Sequence, residues 1–172
     1  NDQEPWNKKE DLLRLNTIVF TTLEIVRKVS FLLYPIIPET YVYDLSTRMS
    51  LYRKAGELLN TEDIDNFTEE LFDRFGPPPI EVNNLLATLF IKNKCLKNKI
   101  KIIDAGPKGM LIGFKNNHFK DTDKLFKWIN DKSGLIKIRP DQKLLIQKKL
   151  KTRDDKINMV VDIISQLELL SV

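Results

Sequence analysis

The sequence predicts an α+β fold: N-terminal helices followed by a small, largely antiparallel sheet with an inserted helix and a C-terminal helix. Three observations carry this. Apolar residues recur at three- and four-residue steps as far as Cys95. The period then shortens to strand-like runs between Ile100 and Phe114. Glycines and prolines fall between the periodic runs, where they punctuate elements instead of interrupting them.

The first element is a long amphipathic helix from Trp6 to Leu33, with Leu12, Leu15, Val19, Leu23, Val26 and Val29 on its apolar stripe. Pro35-Ile36-Ile37-Pro38 ends it, because each proline removes a backbone donor and pushes its predecessor toward extended geometry. A boundary is placed at Pro38, giving units 1–38 and 39–172. Asp44 is the expected N-cap of a second helix reaching Leu59-Asn60, with Leu45, Met49, Tyr52, Ala55 and Leu59 on one face. Thr61 is expected to cap a third helix with Glu62 and Asp63 in its first turn and Ile64, Phe67, Leu71 and Phe75 inward. Gly76 closes it in left-handed geometry, and Pro77-Pro78-Pro79 leads stiffly into a fourth helix carrying Val82, Leu85, Leu86, Leu89, Phe90 and Cys95.

A hairpin follows, with strands at 100–104 and 110–114 flanking Ala105-Gly106-Pro107-Lys108-Gly109. The inserted helix spans about Asp121 to Lys132 with Leu125, Phe126, Trp128 and Ile129 inward, closed by Gly134. Strands at 135–138 and 143–147 are joined by the turn Arg139-Pro140-Asp141. The last helix runs from Asp154 to Leu170 with Ile157, Val160, Val161, Ile164 and Leu167 along one face.

Composition narrows function. A chain of 172 residues with 42% apolar and 30% charged side chains suits one ordinary domain or two small ones. No run approaches the ~20 apolar residues of a bilayer span, so no membrane partner is expected. Asn1-Asp2-Gln3-Glu4 lacks the basic and apolar regions of a secretory signal, and the lone Cys95 has no internal disulfide partner, so a reducing cytoplasm is the expected home. The missing initiator Met suggests a piece of a longer chain. Four ligands at short spacing, as a metal site wants, are not present, and neither metal nor other cofactor is expected. Cys95 and His118, the sole thiol and the sole imidazole, read as a core thiol and a solvated ring in preference to a nucleophile pair.

The net charge of +4 is unevenly spread, because residues 91–151 hold 17 basic and 5 acidic side chains while residues 41–90 hold 4 and 9. Such asymmetry steers partners, and a nucleic-acid surface is one reading of the basic half. The blander reading is compositional drift toward lysine, which outnumbers arginine 21 to 7. Glu69, Glu70 and Asp73 cluster late in the third helix. They read either as a solvated face or as a docking site for arginine, since carboxylates accept two parallel guanidinium bonds. As catalytic carboxylates they would need a cleft. Trp6, after Pro5 at a helix start, reads as a core anchor or as a stacking platform for a nucleobase.

Five motifs in order carry a resemblance. They are Tyr41-Val42-Tyr43-Asp44 leading to Arg48-Met49-Ser50-Leu51-Tyr52-Arg53-Lys54, then Glu70-Leu71-Phe72-Asp73-Arg74-Phe75-Gly76-Pro77, Val82-Asn83-Asn84-Leu85-Leu86, Ala105-Gly106-Pro107-Lys108-Gly109 and Arg139-Pro140-Asp141-Gln142-Lys143. From about residue 37 to the end, the chain resembles the C-terminal module of the bacterial transcription-repair coupling factor. The resemblance implies a parent that is an ATP-driven DNA translocase acting on stalled RNA polymerase, with the motor motifs outside this chain, so no enzyme activity is expected. It implies a regulatory module that docks on the parent's N-terminal repair-protein-like module and masks the site of the excision-repair recruiter. The latch in that family is an acidic pair facing arginines, which falls on Glu70 and Asp73. DNA and RNA polymerase are then partners through the parent.

Residues 1–38 carry a second resemblance. Gln3-Glu4-Pro5-Trp6, Arg14-Leu15-Asn16 and the helix to Pro38 are similar to a helix of the anticodon-binding bundle of methionyl-tRNA synthetase. That resemblance places Trp6 as a base-stacking residue and makes a tRNA-binding fragment the alternative reading. One bundle helix without its neighbours is expected not to select tRNA.

Overall fold

The computed structural model describes residues 36–117 and 119–170. The expected helix over Trp6 to Leu33 and the residue His118 lie outside the described residues, as does Trp6 itself.

Helix α1 spans Leu45–Glu57, and Asp44 caps it as expected, its carboxylate accepting from the Thr47 amide at 2.6 Å. Its buried face is Leu51, Tyr52 and Ala55, continued by Leu58 just beyond its end. Two residues expected inward are not: Leu45 is exposed, and Leu59 points to solvent because the helix stops at Glu57 and Leu58 takes extended geometry. Helix α2 spans Thr61–Phe75. Its cap is Asn60, not Thr61, since Asn60 is the residue still in extended geometry and its side chain can reach the Asp63 amide. Asp63 answers by accepting from the Asn60 amide, a reciprocal capping box. Ile64, Phe67 and Leu71 are buried as expected, and Gly76 ends the helix at φ 82° while donating to Phe72 O at 2.8 Å.

Helix α3, Ile80–Lys97, starts directly after Pro79, which occupies the cap position. This helix belongs to two apolar clusters. Val82, Leu85 and Leu89 pack with α1, α2, Ile37 and Val42, whereas Ile91 and Cys95 pack under the sheet. Burial pushes the Cys95 thiol up to about 12, so the expected core thiol is what is observed.

Strands β1 (Ile100–Gly106) and β2 (Gly109–Phe114) form the expected hairpin, with a tighter turn than its glycine-rich sequence suggests. Gly106 pairs with Gly109 inside the ladder, leaving Pro107 and Lys108 as a two-residue loop. Helix α4 spans Thr122–Asp131, capped by Asp121, with Leu125, Trp128 and Ile129 buried. Phe126, expected inward, is 52% exposed. A ten-residue helix offers the core one stripe, and Phe126 lies about 100° away from Leu125.

Strands β3 (Ile136–Ile138) and β4 (Leu144–Ile146) complete a sheet of order β1-β2-β4-β3, antiparallel at every junction. Ile103, Ala105, Met110, Ile112, Leu144, Ile146 and Ile136 form its buried face. The last helix, α5, spans Arg153–Leu170 and adds Val160, Ile163, Ile164 and Leu167 to that core. Its far end is pinned to α3, where Lys94 and Lys97 donate to the two oxygens of Glu168 at 2.6 and 2.5 Å. Both lysines hold the Glu168 carboxyl below the usual range. The α+β class and its order of elements are therefore as the sequence predicts. Among the described residues no helix is long and apolar enough to cross a membrane.

Candidate protein-docking face

The C-terminal half of α2 carries the acidic residues singled out from sequence, and its position is held from three sides. Leu71 is fully buried beneath it. The Tyr41 hydroxyl donates to Leu71 O at 3.0 Å and lies 2.8 Å from Gly76 O, so it ties the last turn of α2 to the residue that ends it. Tyr41 also packs its ring against Phe75 at 5.8 Å between centroids. Beyond Gly76 the three prolines restrict the chain before α3 begins.

On this fixed end the two predicted latch residues differ. Glu70 is engaged within the chain: one carboxylate oxygen accepts from Lys54 of α1 and the other from Arg74 at 2.8 Å. Its side chain is only 26% exposed, and Lys54, then Arg74, hold its carboxyl below the usual glutamate range. Asp73 is exposed and has no hydrogen-bond or ion-pair partner among the described residues. Glu69 is likewise exposed. Between them Phe72 is 54% exposed, a large apolar side chain beside two unengaged carboxylates.

The sequence pattern identified the acidic cluster but missed Lys54 and Phe72. The Glu70–Arg74 pair is readable from its four-residue spacing. The Lys54 contact spans 16 residues and follows from α1 packing beside α2. Phe72 was readable as the aromatic residue off the Ile64–Phe67–Leu71 stripe.

Such a surface can recognise a cationic group flanked by apolar area. The open groove of about 340 Å³ between α1 and α2 is lined by Lys54, Glu57, Leu58, Asp63, Asn66 and Phe67, and by neither Glu70 nor Asp73. Among the described residues no group of three His, Cys, Asp or Glu side chains is placed to hold a metal ion.

The model of the TRCF domain family matches residues 33–125. A transcription-repair-coupling factor of Rickettsia conorii is 43% identical over 114 residues, 66% of this chain and 10% of that protein. That of Rickettsia typhi is 36% identical over 148 residues, 86% of this chain and 13% of that protein. The Escherichia coli protein of the same name is 27% identical over 84 residues, 48% of this chain and 7% of that protein. The chain thus spans about a tenth of the length of these curated relatives. A crystal structure of the C-terminal domain of transcription-repair coupling factor superposes with a TM-score of 0.66 at 20% identity, covering 81% of this chain and 89% of that one. At that identity the superposition speaks for the fold.

Proposed function

This chain belongs to the TRCF domain family, and we propose that it serves as a non-catalytic, regulatory protein-interaction module in transcription-coupled DNA repair. In this reading it docks on the N-terminal repair-protein-like module of its parent and masks the surface that receives the excision-repair recruiter. RNA polymerase and DNA are reached through the parent. The observation that supports docking through α2 is the unengaged Asp73 carboxylate beside exposed Phe72, on a helix end held by Tyr41 and Leu71.

The different settings of the two carboxylates rank them. Asp73 offers an arginine a partner without first breaking a contact. Glu70 has to share or leave Lys54 and Arg74, so it acts second, as the charge that keeps the local potential negative. Removing one partner of a close interfacial charge pair costs about 2–5 kcal/mol, or at least about 30-fold in affinity. Titrating the N-terminal module calorimetrically with the chain is therefore expected to show at least that loss for Glu70→Arg with Asp73→Arg. Asp73→Arg alone should cause most of it. Equal affinity of the double variant and the native chain would remove α2 from the interface.

A further inference from the structure

Four lysines from two distant stretches of sequence meet at one end of the sheet, far along the chain from the acidic helix. Lys108 is at the tip of the β1–β2 hairpin, and Lys148, Lys149 and Lys151 lie in the segment between β4 and α5. The fold joins these stretches by backbone contacts. The Leu150 amide donates to Pro107 O at 3.1 Å, and the Leu150 side chain is buried as a plug between the flanking lysines. Gly109 lies directly against the carbonyl of Ile146. All four lysines are exposed and none makes a salt bridge among the described residues, although the hydrogen bonds from Thr152 and Lys151, and then the charge of Lys148, hold the Asp155 carboxyl below the usual aspartate range.

A groove of about 340 Å³ opens between Lys148–Lys151 and α5. It also contains two carboxylates, and both are engaged. Asp155, the third residue of α5, accepts from the amides of Lys151 and Thr152 at 3.1 and 2.9 Å and donates its own amide to the Thr152 hydroxyl, a reciprocal capping box with Thr152 as the cap. Asp162 accepts from the Gln166 amide group at 2.9 Å.

We propose that this lysine cluster binds the phosphodiester backbone of a nucleic acid without reading its sequence. Protein partners are anchored by exposed aromatic or arginine side chains in desolvated pockets. Among the described residues, the exposed large apolar side chains lie elsewhere, between residues 36 and 96, at 126 and 138, and at 169. Lysine ammonium groups on flexible stems are point charges, suited to phosphate oxygens at varied positions and poor at fixing a base edge. The cluster is separate from the α2 face, so this inference does not depend on the docking reading.

The test is fluorescence anisotropy of labelled duplex DNA and of single-stranded RNA with the full chain, across salt concentrations. Four neutralised phosphates give a slope of log affinity against log salt of about −3.6 for the duplex and about −2.8 for a single strand. Exchanging Lys108, Lys148, Lys149 and Lys151 for glutamine is expected to abolish most of that slope, and each single exchange to lower it by about 1. The control exchanges four other exposed lysines, Lys101, Lys115, Lys127 and Lys137, for glutamine, removing the same charge from other places. It is expected to keep most of the slope, and an unchanged unfolding midpoint confirms that both variants are folded. Tighter duplex binding assigns DNA as the source of the phosphates, and tighter strand binding assigns RNA. Equal losses in the two quadruple variants, absence of binding to either nucleic acid at low salt, or equal binding of polyglutamate would each overturn the proposal.

Discussion

Replacing Gly109 with alanine is expected to destabilise the chain by about 3 kcal/mol or more. A Cβ at this position would stand 2.0 Å from the backbone oxygen of Ile146 and 3.1 Å from its carbon. Neither atom belongs to a side chain that can rotate away. Gly109 also sits at φ +147°, where an L side chain is strained whatever the space around it. Relief requires β4 to move away from β2, and the first ladder pair next to the clash is Met110 with Ile146. Both are fully buried in the sheet core, so the movement exposes apolar area and adds to the strain. Gly106, across the same turn, has nothing within 4 Å of its would-be Cβ and an ordinary φ. Gly106→Ala is accordingly expected to stay within about 0.5 kcal/mol of the native chain. Urea unfolding of the two variants side by side checks this. Equal stabilities would mean that β2 and β4 do not meet as described.

Leu71→Ala is expected to have the next largest effect, about 2–5 kcal/mol. Leu71 is fully buried in the cluster formed by α1, α2 and α3, which also contains Ile64, Phe67, Val82 and Leu85. Truncation leaves a void that a helix fixed at its end by Tyr41 and Gly76 cannot readily close. The variant separates stability from recognition. Leu71→Ala should lower the urea midpoint without removing any charge from the docking face, whereas Asp73→Arg should leave the midpoint within about 0.5 kcal/mol of native. A loss below about 1 kcal/mol for Leu71→Ala would show that the helical cluster is not close-packed around it.

The class of fold and the order of elements were legible because apolar residues recur at three- and four-residue steps in the helices and condense into short runs, bounded by glycine and proline, in the strands. What periodicity could not resolve was where a stripe ends. Leu59 continues the α1 spacing on paper, yet the chain leaves the helix at Glu57 and buries Leu58 instead. Phe126 is apolar and adjacent to core residues, but a short helix turns it outward. Asn60 and Thr61 are both good capping residues, and the choice between them rests on which one remains extended.

The candidate sites show the same division. The acidic cluster on α2 is local and was visible, as was the i, i+4 pairing of Glu70 with Arg74. The Lys54 partner of Glu70, the Tyr41 hydroxyl at the end of α2, and the meeting of Lys108 with the 148–151 segment all join residues distant in sequence. Such contacts are products of packing. A charge count over 91–151 registered the excess of lysine but not which lysines share a surface.

The central claim, that this module masks the excision-repair recruiter's site, is tested most directly by competition. The parent's N-terminal repair-protein-like module would be held with labelled recruiter and titrated with the chain, native or Asp73→Arg, and the anisotropy of the recruiter followed. Mutually exclusive binding is predicted: the native chain displaces the recruiter, and the Asp73→Arg chain needs at least about 10-fold more protein to do so, most of the loss expected of the double variant. A stable ternary complex of module, recruiter and native chain would contradict the account.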